Sequence, residues 1–279
     1  MDEITAEYTT EQLVPSVELR FVPVVTLAAK TDLGRVRENN EDKFEFFLAE
    51  DDATLASRGQ VFLVCDGMGG HAAGQIASEL ACKTFIDVYL HHPSTDPSVA
   101  MVSGVQAANR FVVDVGRAVP SRKGMGTTLS GLVLLQDQAY VVQVGDSRIY
   151  RLRQGELLML TRDHTWVDEA IRAGMITPQE AETHPYKHVL TRAIGAEGDV
   201  RPDIELFDLK VGDIFMLCSD GLVNHVTDDT IAEILRTKSP SEAAWTLVGH
   251  ALLGGGSDNT TVLVVRVDTL DKRSDDGTP

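Results

Sequence analysis

Three strongly apolar segments, residues 61–65, 214–218 and 260–267, each abut an aspartate set beside a glycine or another turn-forming residue: Asp66 before Gly67, Asp220 before Gly221, Asp258 before Asn259. Apolar runs of this length, bounded by turn residues, read as buried strands. Strand ends gather along one edge of a sheet, so three carboxylates far apart in sequence are predicted to meet at one rim. Asp146, in Gly145-Asp146-Ser147, lies between two further strand candidates and can join them. Each Asp-Gly or Gly-Asp pair taken alone is ordinary turn chemistry; the repetition at strand ends is what points further. Crowded carboxylates repel unless they are protonated or neutralised, and hard oxygen donors suit Mg²⁺ or Mn²⁺. A divalent-metal site is the expectation.

The remaining pattern sets the fold class. Residues 21–27 form a candidate opening strand. Ala73, Ala77, Leu80, Ala81, Thr84 and Val88 recur at helical spacing before Pro93, and residues 99–119 carry a second apolar stripe interrupted by Gly104. Residues 127–135, 139–144 and 147–152 read as an antiparallel meander, 162–200 as short helices and loops, and about 228–236 and 241–253 as two more helices. Strands and helices come in runs rather than in alternation, which predicts an α+β fold of two antiparallel sheets with helices packed outside. The organisation expected is a flexible acidic tail over residues 1–20, one domain over 21–268 and a flexible tail over 269–279.

Charge and cysteine usage exclude several function classes. Among 279 residues, 42 Asp and Glu against 25 Lys and Arg give a formal net charge of −17, a field that repels nucleic-acid backbones and anionic lipid. Three cysteines without a Cys-x-x-Cys pair argue against a disulfide scaffold or a structural zinc. The first residues lack the basic start and apolar run of a secretory signal, and no stretch approaches the roughly 18 apolar residues of a membrane span. The expected compartment is the cytoplasm, with neither nucleic acid nor membrane as a partner.

Six motifs then occur in order: Arg37-Glu38-Asn39-Asn40-Glu41-Asp42, Asp66-Gly67-Met68-Gly69-Gly70-His71, Gly126-Thr127-Thr128, Val144-Gly145-Asp146-Ser147-Arg148, Ser219-Asp220-Gly221-Leu222 and Asp258-Asn259-Thr260-Thr261. The series resembles that of the metal-dependent serine/threonine protein phosphatases of type 2C in their bacterial form. That resemblance implies a central β-sandwich flanked by helices on both outer faces. It also implies a centre of two Mn²⁺ or Mg²⁺ ions, with room for a third, and hydrolysis of phosphoserine or phosphothreonine by a metal-bridging hydroxide. By position, Asp66 would bridge the metals, the carbonyl of Gly67 would bind one, and Asp220 and Asp258 the other. Glu41 would reach the second metal, Asp42 would stand beside it, Asp146 with Asp220 would form a third site, and Arg37 would clamp the substrate phosphate. The implied partners are phosphorylated proteins and a cognate serine/threonine kinase, and the implied state is a monomer. Where animal members carry a His directly after Asp-Gly, this chain has Met68. His71, three residues on, is either the proton donor to the leaving group or a residue of the helix start, and a metal-bound water is the other donor.

The chemistry is sound without the family. Paired cations activate water for in-line displacement at phosphorus, and a guanidinium fork matches phosphate oxygens. Two rivals stand beside it. The Gly67-x-Gly69-x-x-Ala72 loop satisfies a loose dinucleotide fingerprint, but Asp66 would face a pyrophosphate and helices rather than a second strand follow. A catalytically silent adaptor of the same fold should lack one of the ligands. His164 and Trp166 read as residues covering the core, Gly74 as a close-packing site in a first helical turn, and residues 162–200 as a segment contributing to substrate choice.

Overall fold

The computed structural model describes residues 17–70 and 72–273. In chain order the strands are β1 (Phe21–Asp32), β2 (Lys43–Phe47), β3 (Gln60–Cys65), β4 (Gly67–Met68), β5 (Gly126–Thr127), β6 (Leu129–Leu135), β7 (Gln138–Val144), β8 (Arg148–Arg153), β9 (Glu156–Met159), β10 (Asp203–Asp208), β11 (Ile214–Cys218) and β12 (Thr260–Lys272). The helices are α1 (Asp52–Ser57), α2 (Ala72–His91), α3 (Pro97–Ala118), α4 (Trp166–Arg172), α5 (Pro178–Glu182), α6 (Asp220–Val223), α7 (Asp228–Thr237) and α8 (Pro240–Leu253). Two five-stranded sheets, ordered β1-β12-β11-β8-β9 and β10-β7-β6-β3-β2, face each other, and their strand pairs are antiparallel.

Why the central strands are apolar throughout follows from what covers them. Phe62 and Val64 of β3 point into the space between the sheets, among Phe215, Leu217, Leu263 and Val265. Val61, Leu63 and Cys65 point the other way, onto Ala77, Phe85, Met101 and Val105 of α2 and α3. On the second sheet, Met216, Cys218, Val262 and Val264 lie under Leu235 and Leu247 of α7 and α8. A strand buried on both faces loses the alternation of a half-exposed one and becomes a continuous apolar run. Each buried Val, Leu or Phe contributes roughly 1.5–3 kcal/mol relative to exposure. The result is a four-layer stack of helices, sheet, sheet and helices, the antiparallel α+β sandwich expected.

The helices obey local rules. Asp96 caps α3 by accepting from the Ser98 N–H, with Pro97 at the first position. Gly104, the flaw in that apolar stripe, is where α3 crosses α2: a Cβ there would stand 3.0 Å from the Phe85 ring.

Two expectations are corrected. The proposed meander breaks after its second strand, because β8 pairs with β11 of the opposite sheet and not with β7. Gly145, at φ +102°, turns the chain from one sheet to the other, a backbone conformation that favours glycine. The C-terminal tail expected from residue 269 is shortened, since Thr269–Lys272 continue β12 by pairing with Val24–Phe21 of β1. Leu270, paired with Pro23, still packs against the core between the sheets. Residues 1–16 and 274–279, the rest of the expected tails, lie outside the described residues.

Candidate metal centre

One rim of the sandwich encloses a cavity of about 1020 Å³ lined by Arg37, Glu41, Asp66, Gly67, Asp146, Asp220 and Asp258, with Asp42 buried behind. His71 lies outside the described residues.

The motifs surrounding the carboxylates hold one another in place. Asp66 leaves the end of β3 with its main chain tied on both sides: its N–H donates to Thr128 Oγ1 at 2.8 Å, and its carbonyl accepts from the Thr128 N–H and the Thr127 hydroxyl, each at 2.9 Å. The Gly126-Thr127-Thr128 motif is therefore a clasp on Asp66. Thr128 Oγ1 also bonds Ser147 Oγ at 2.8 Å, linking the clasp to the Asp146 turn. Ser219 Oγ donates to Asp42 Oδ2 at 2.6 Å while accepting the Thr261 N–H at 3.0 Å, so the residue before Asp220 secures Asp42. Asn259 stitches the first motif to the last. Its side chain accepts the Glu41 N–H at 2.8 Å and donates to the carbonyls of Leu33 and Asn39 at 2.9 and 3.0 Å.

Packing around these bonds leaves no space for side chains at two glycines. A Cβ on Gly221 would stand 1.9 Å from the Asn259 carbonyl oxygen, and one on Gly74 would stand 2.2 Å from Glu41 Oε2. Gly74 is thus the close-packing site expected, and what it admits is the Glu41 carboxylate.

Electrostatics shows how crowded the rim is. Asp66 is held well above the ordinary carboxylate range by burial, then by repulsion from Asp42, Asp220, Asp146 and Asp258. Burial pushes Asp42 up to about 7 even though Ser219 donates to it. Burial and then Asp220 push Asp146 to about 7, and burial and then Asp258 raise Asp220. Asp42 Oδ1 is buried with no hydrogen-bond partner. Among the described residues no three His, Cys, Asp or Glu side chains close on a common point as a finished cage; they ring the cavity instead. Oxygen donors that repel one another, one of them buried and unsatisfied, fit hard divalent cations.

Arg37 stands at the mouth, its side chain 54% exposed, with Nη2 donating to Asp258 Oδ2 at 2.6 Å. That hydrogen bond raises its already high pKa. The remaining N–H groups of the fork are available to a phosphate.

The stretch 162–200 is expected to contribute to substrate choice, but its individual lining residues are not among those the sequence singles out. Lys187, His188, Leu190 and Ala193, from the loop-rich stretch 162–200, form one wall, and Asn224, His225 and Ser257 are also at the rim. His188 Nδ1 lies 3.8 Å from Asp220 Oδ2. No spacing rule reaches these residues individually; the signals for the stretch are its loop-like composition and its resemblance to the flap segment of the family.

The chain matches the family model for protein phosphatase 2C over residues 36–248. It is 37% identical over 251 residues to the serine/threonine phosphatase stp of Listeria monocytogenes, covering 88% of this chain and 97% of that one. It is 37% identical over 248 residues to the serine/threonine protein phosphatase PstP of Mycobacterium tuberculosis, covering 89% of this chain, and spans 46% of the length of that relative. The crystal structure of the PstP catalytic domain in complex with two manganese ions superimposes with a TM-score of 0.75 at 36% identity, covering 89% of this chain and all of that one. A two-sheet sandwich with an acidic rim and relatives of this kind define a metal-dependent phosphatase class. The chain belongs to the protein phosphatase 2C family. Among the described residues no helix is long and apolar enough to cross a membrane.

Proposed function

We propose that this chain hydrolyses phosphoserine and phosphothreonine in proteins, using two divalent cations, Mn²⁺ or Mg²⁺, held at the acidic rim. The observation that carries the reading is the gathering of Asp66, Asp146, Asp220, Asp258 and Arg37 around one cavity, from five separate stretches of sequence. Asp66, the Gly67 carbonyl, Asp220 and Asp258 would hold the two principal ions, Glu41 and Asp42 would support them, and Asp146 with Asp220 would hold a weaker third. The chemistry such ions supply is a water acidified for attack and neutralisation of charge on the phosphoryl oxygens.

The rest is work for the chain. The Thr127–Thr128 clasp fixes the main chain from which the Asp66 carboxylate projects, so little reorganisation of the backbone is needed when substrate arrives. Arg37, steadied by Asp258, holds non-bridging phosphate oxygens with paired charge-assisted bonds and orients the phosphorus for in-line attack. A protein kinase is the class of enzyme that must supply the substrate. A silent adaptor of the same fold should have lost a ligand, and here each acidic position is retained.

The test is release of phosphate from a phosphopeptide with and without Mn²⁺. Asp66→Asn and Asp220→Asn are expected to reduce turnover by more than about a hundredfold, the upper range for loss of a supporting group around a metal, with the circular dichroism spectrum unchanged. Asp146→Asn should be milder. Turnover that ignores both Mn²⁺ and the first two substitutions would sink the reading.

A further inference from the structure

His164 is fully buried, yet it is no inert core residue. Its Nδ1 accepts the Gly145 N–H at 3.1 Å, and the main-chain N–H of His164 donates to the Gly145 carbonyl at 2.9 Å. A backbone N–H can only donate, so Nδ1 is the unprotonated nitrogen and the ring proton sits on Nε2. Nε2 faces Asp203 Oδ2 at 3.1 Å, and Asp203 Oδ1 accepts from Arg192 Nη1 at 2.6 Å. His164 thus holds both polar groups of the glycine that turns the chain between the sheets, immediately before Asp146: the N–H through its ring and the carbonyl through its main chain.

The same residue anchors the loop-rich stretch. The His164 carbonyl accepts the Thr191 N–H at 2.8 Å, and Thr165 forms a bridge with Leu190. Leu190 and Ala193 line the cavity wall. The Asp146 turn and that wall are therefore both tied to one residue, the turn through its ring and main chain and the wall through its main chain.

We propose that His164 is a positioning residue, whose Nδ1 acceptor holds the Gly145–Asp146 turn in the orientation that Asp146 needs to share a divalent cation. The inference rests on the phosphatase reading above for its biological meaning, but not for its test. Groups that orient a metal ligand typically change affinity by 10- to 100-fold when lost.

Two substitutions separate the nitrogens. In His164→Asn the amide oxygen takes roughly the place of Nδ1 and retains an acceptor for Gly145. In His164→Gln the amide reaches the place of Nε2 and retains the Asp203 contact only. The measurements are direct Mn²⁺ binding followed by electron paramagnetic resonance of the free ion, the Mn²⁺ dependence of phosphopeptide turnover, and thermal unfolding.

His164→Gln should raise the Mn²⁺ concentration for half-saturation about tenfold, and His164→Asn should bring it back to within about threefold of the native protein even if both melt lower. Equal Mn²⁺ binding in all three proteins, with only the melting temperature reduced, overturns the proposal. So does rescue by Gln instead of Asn. If His164→Gln does not fold, Arg192→Ala serves, since that partly exposed side chain supports Asp203 and hence the ring from outside. A two- to threefold weaker Mn²⁺ response is expected there, and no change counts against the proposal. Absence of turnover in the native protein, with the binding pattern intact, would instead remove the phosphatase reading and leave the positioning role standing.

Discussion

The cavity has two unlike walls. The acidic wall is made of strand ends; Asp66, Asp220 and Asp258 each follow or precede a strand buried on both faces, and side-chain hydrogen bonds tie the motifs together. The opposite wall comes from residues 162–200, which carry two short helices, leave Met175 and Tyr186 exposed at 73% and 54%, and pack Trp166 against His184 and Tyr186 rather than into the sandwich. Groups that do the same chemistry on every substrate gain from rigid support, because misplacement by an ångström is costly. Groups that meet varied partners gain from surface loops that can change without disturbing the core. Under the proposed function, these tasks would fall to separate walls.

The largest expected effect breaks the comparison at a glycine on each side. Gly221→Ala must displace the Asn259 carbonyl, only 1.9 Å from the new Cβ, and so the bracket that holds Glu41. A loss of about 3 kcal/mol is expected, the upper end for overpacked interiors, with activity falling along with Mn²⁺ affinity. Gly174→Ala, in the loop-rich wall, faces open space at φ +68°. Its penalty is about 1 kcal/mol of left-handed backbone, with activity retained. Urea unfolding and phosphate release on both variants decide; equal losses of activity would erase the distinction between the walls.

That distinction also explains what could be read from the sequence. The acidic wall was legible because burial on both faces writes a continuous apolar run and the turn writes Asp beside Gly. Strands β2, β9 and β10 were not recognised. Each is a sheet edge with partly or largely exposed residues, so the pattern that marks a strand is diluted. The crossing between sheets at Gly145 was misread as a hairpin, since a glycine-aspartate turn looks alike whichever sheet the next strand joins. The first turn of α1 did carry a local signal, Asp51 accepting the Thr54 N–H, that went unused. The bonds from Ser219 to Asp42 and from Asn259 to Glu41 span whole domains of sequence, and no local rule anticipates them.

A second, intermediate effect concerns charge on the acidic wall alone. Asp42 and Asp146, raised to about 7 by burial, bind protons in the folded chain at pH values where the unfolded chain has released them. Stability of the metal-free protein should therefore rise as pH falls from 8 through 7 toward 5, and fall again as these groups ionise on the way back. Divalent cations should flatten that slope, and at a concentration of about 100 times the dissociation constant they add about 2.7 kcal/mol. Melting temperatures in EDTA and in Mn²⁺ between pH 5.5 and 8 measure both. A metal-free protein that is most stable at pH 8 would mean that the carboxylates are not crowded as described.

The smallest effect belongs to the other wall. Lys187 lines the cavity on the side away from the strand ends. A solvent-facing lysine interacts with a bound phosphopeptide at a strength typical of exposed charge pairs, below about 1 kcal/mol, or a few-fold in KM. Lys187→Ala should accordingly raise KM by about threefold at low salt, with the difference shrinking as ionic strength rises and screening sets in. The effect should depend on the sequence flanking the phosphorylated residue and be largest for peptides with acidic flanks, because those bring charge to this wall as well as to Arg37. kcat and the Mn²⁺ requirement should stay at their native values, since no bond of the acidic wall passes through Lys187. A drop in kcat of the same size for every peptide would instead place Lys187 among the groups that act on the phosphoryl centre, and the separation of tasks between the two walls would fail where it is easiest to measure.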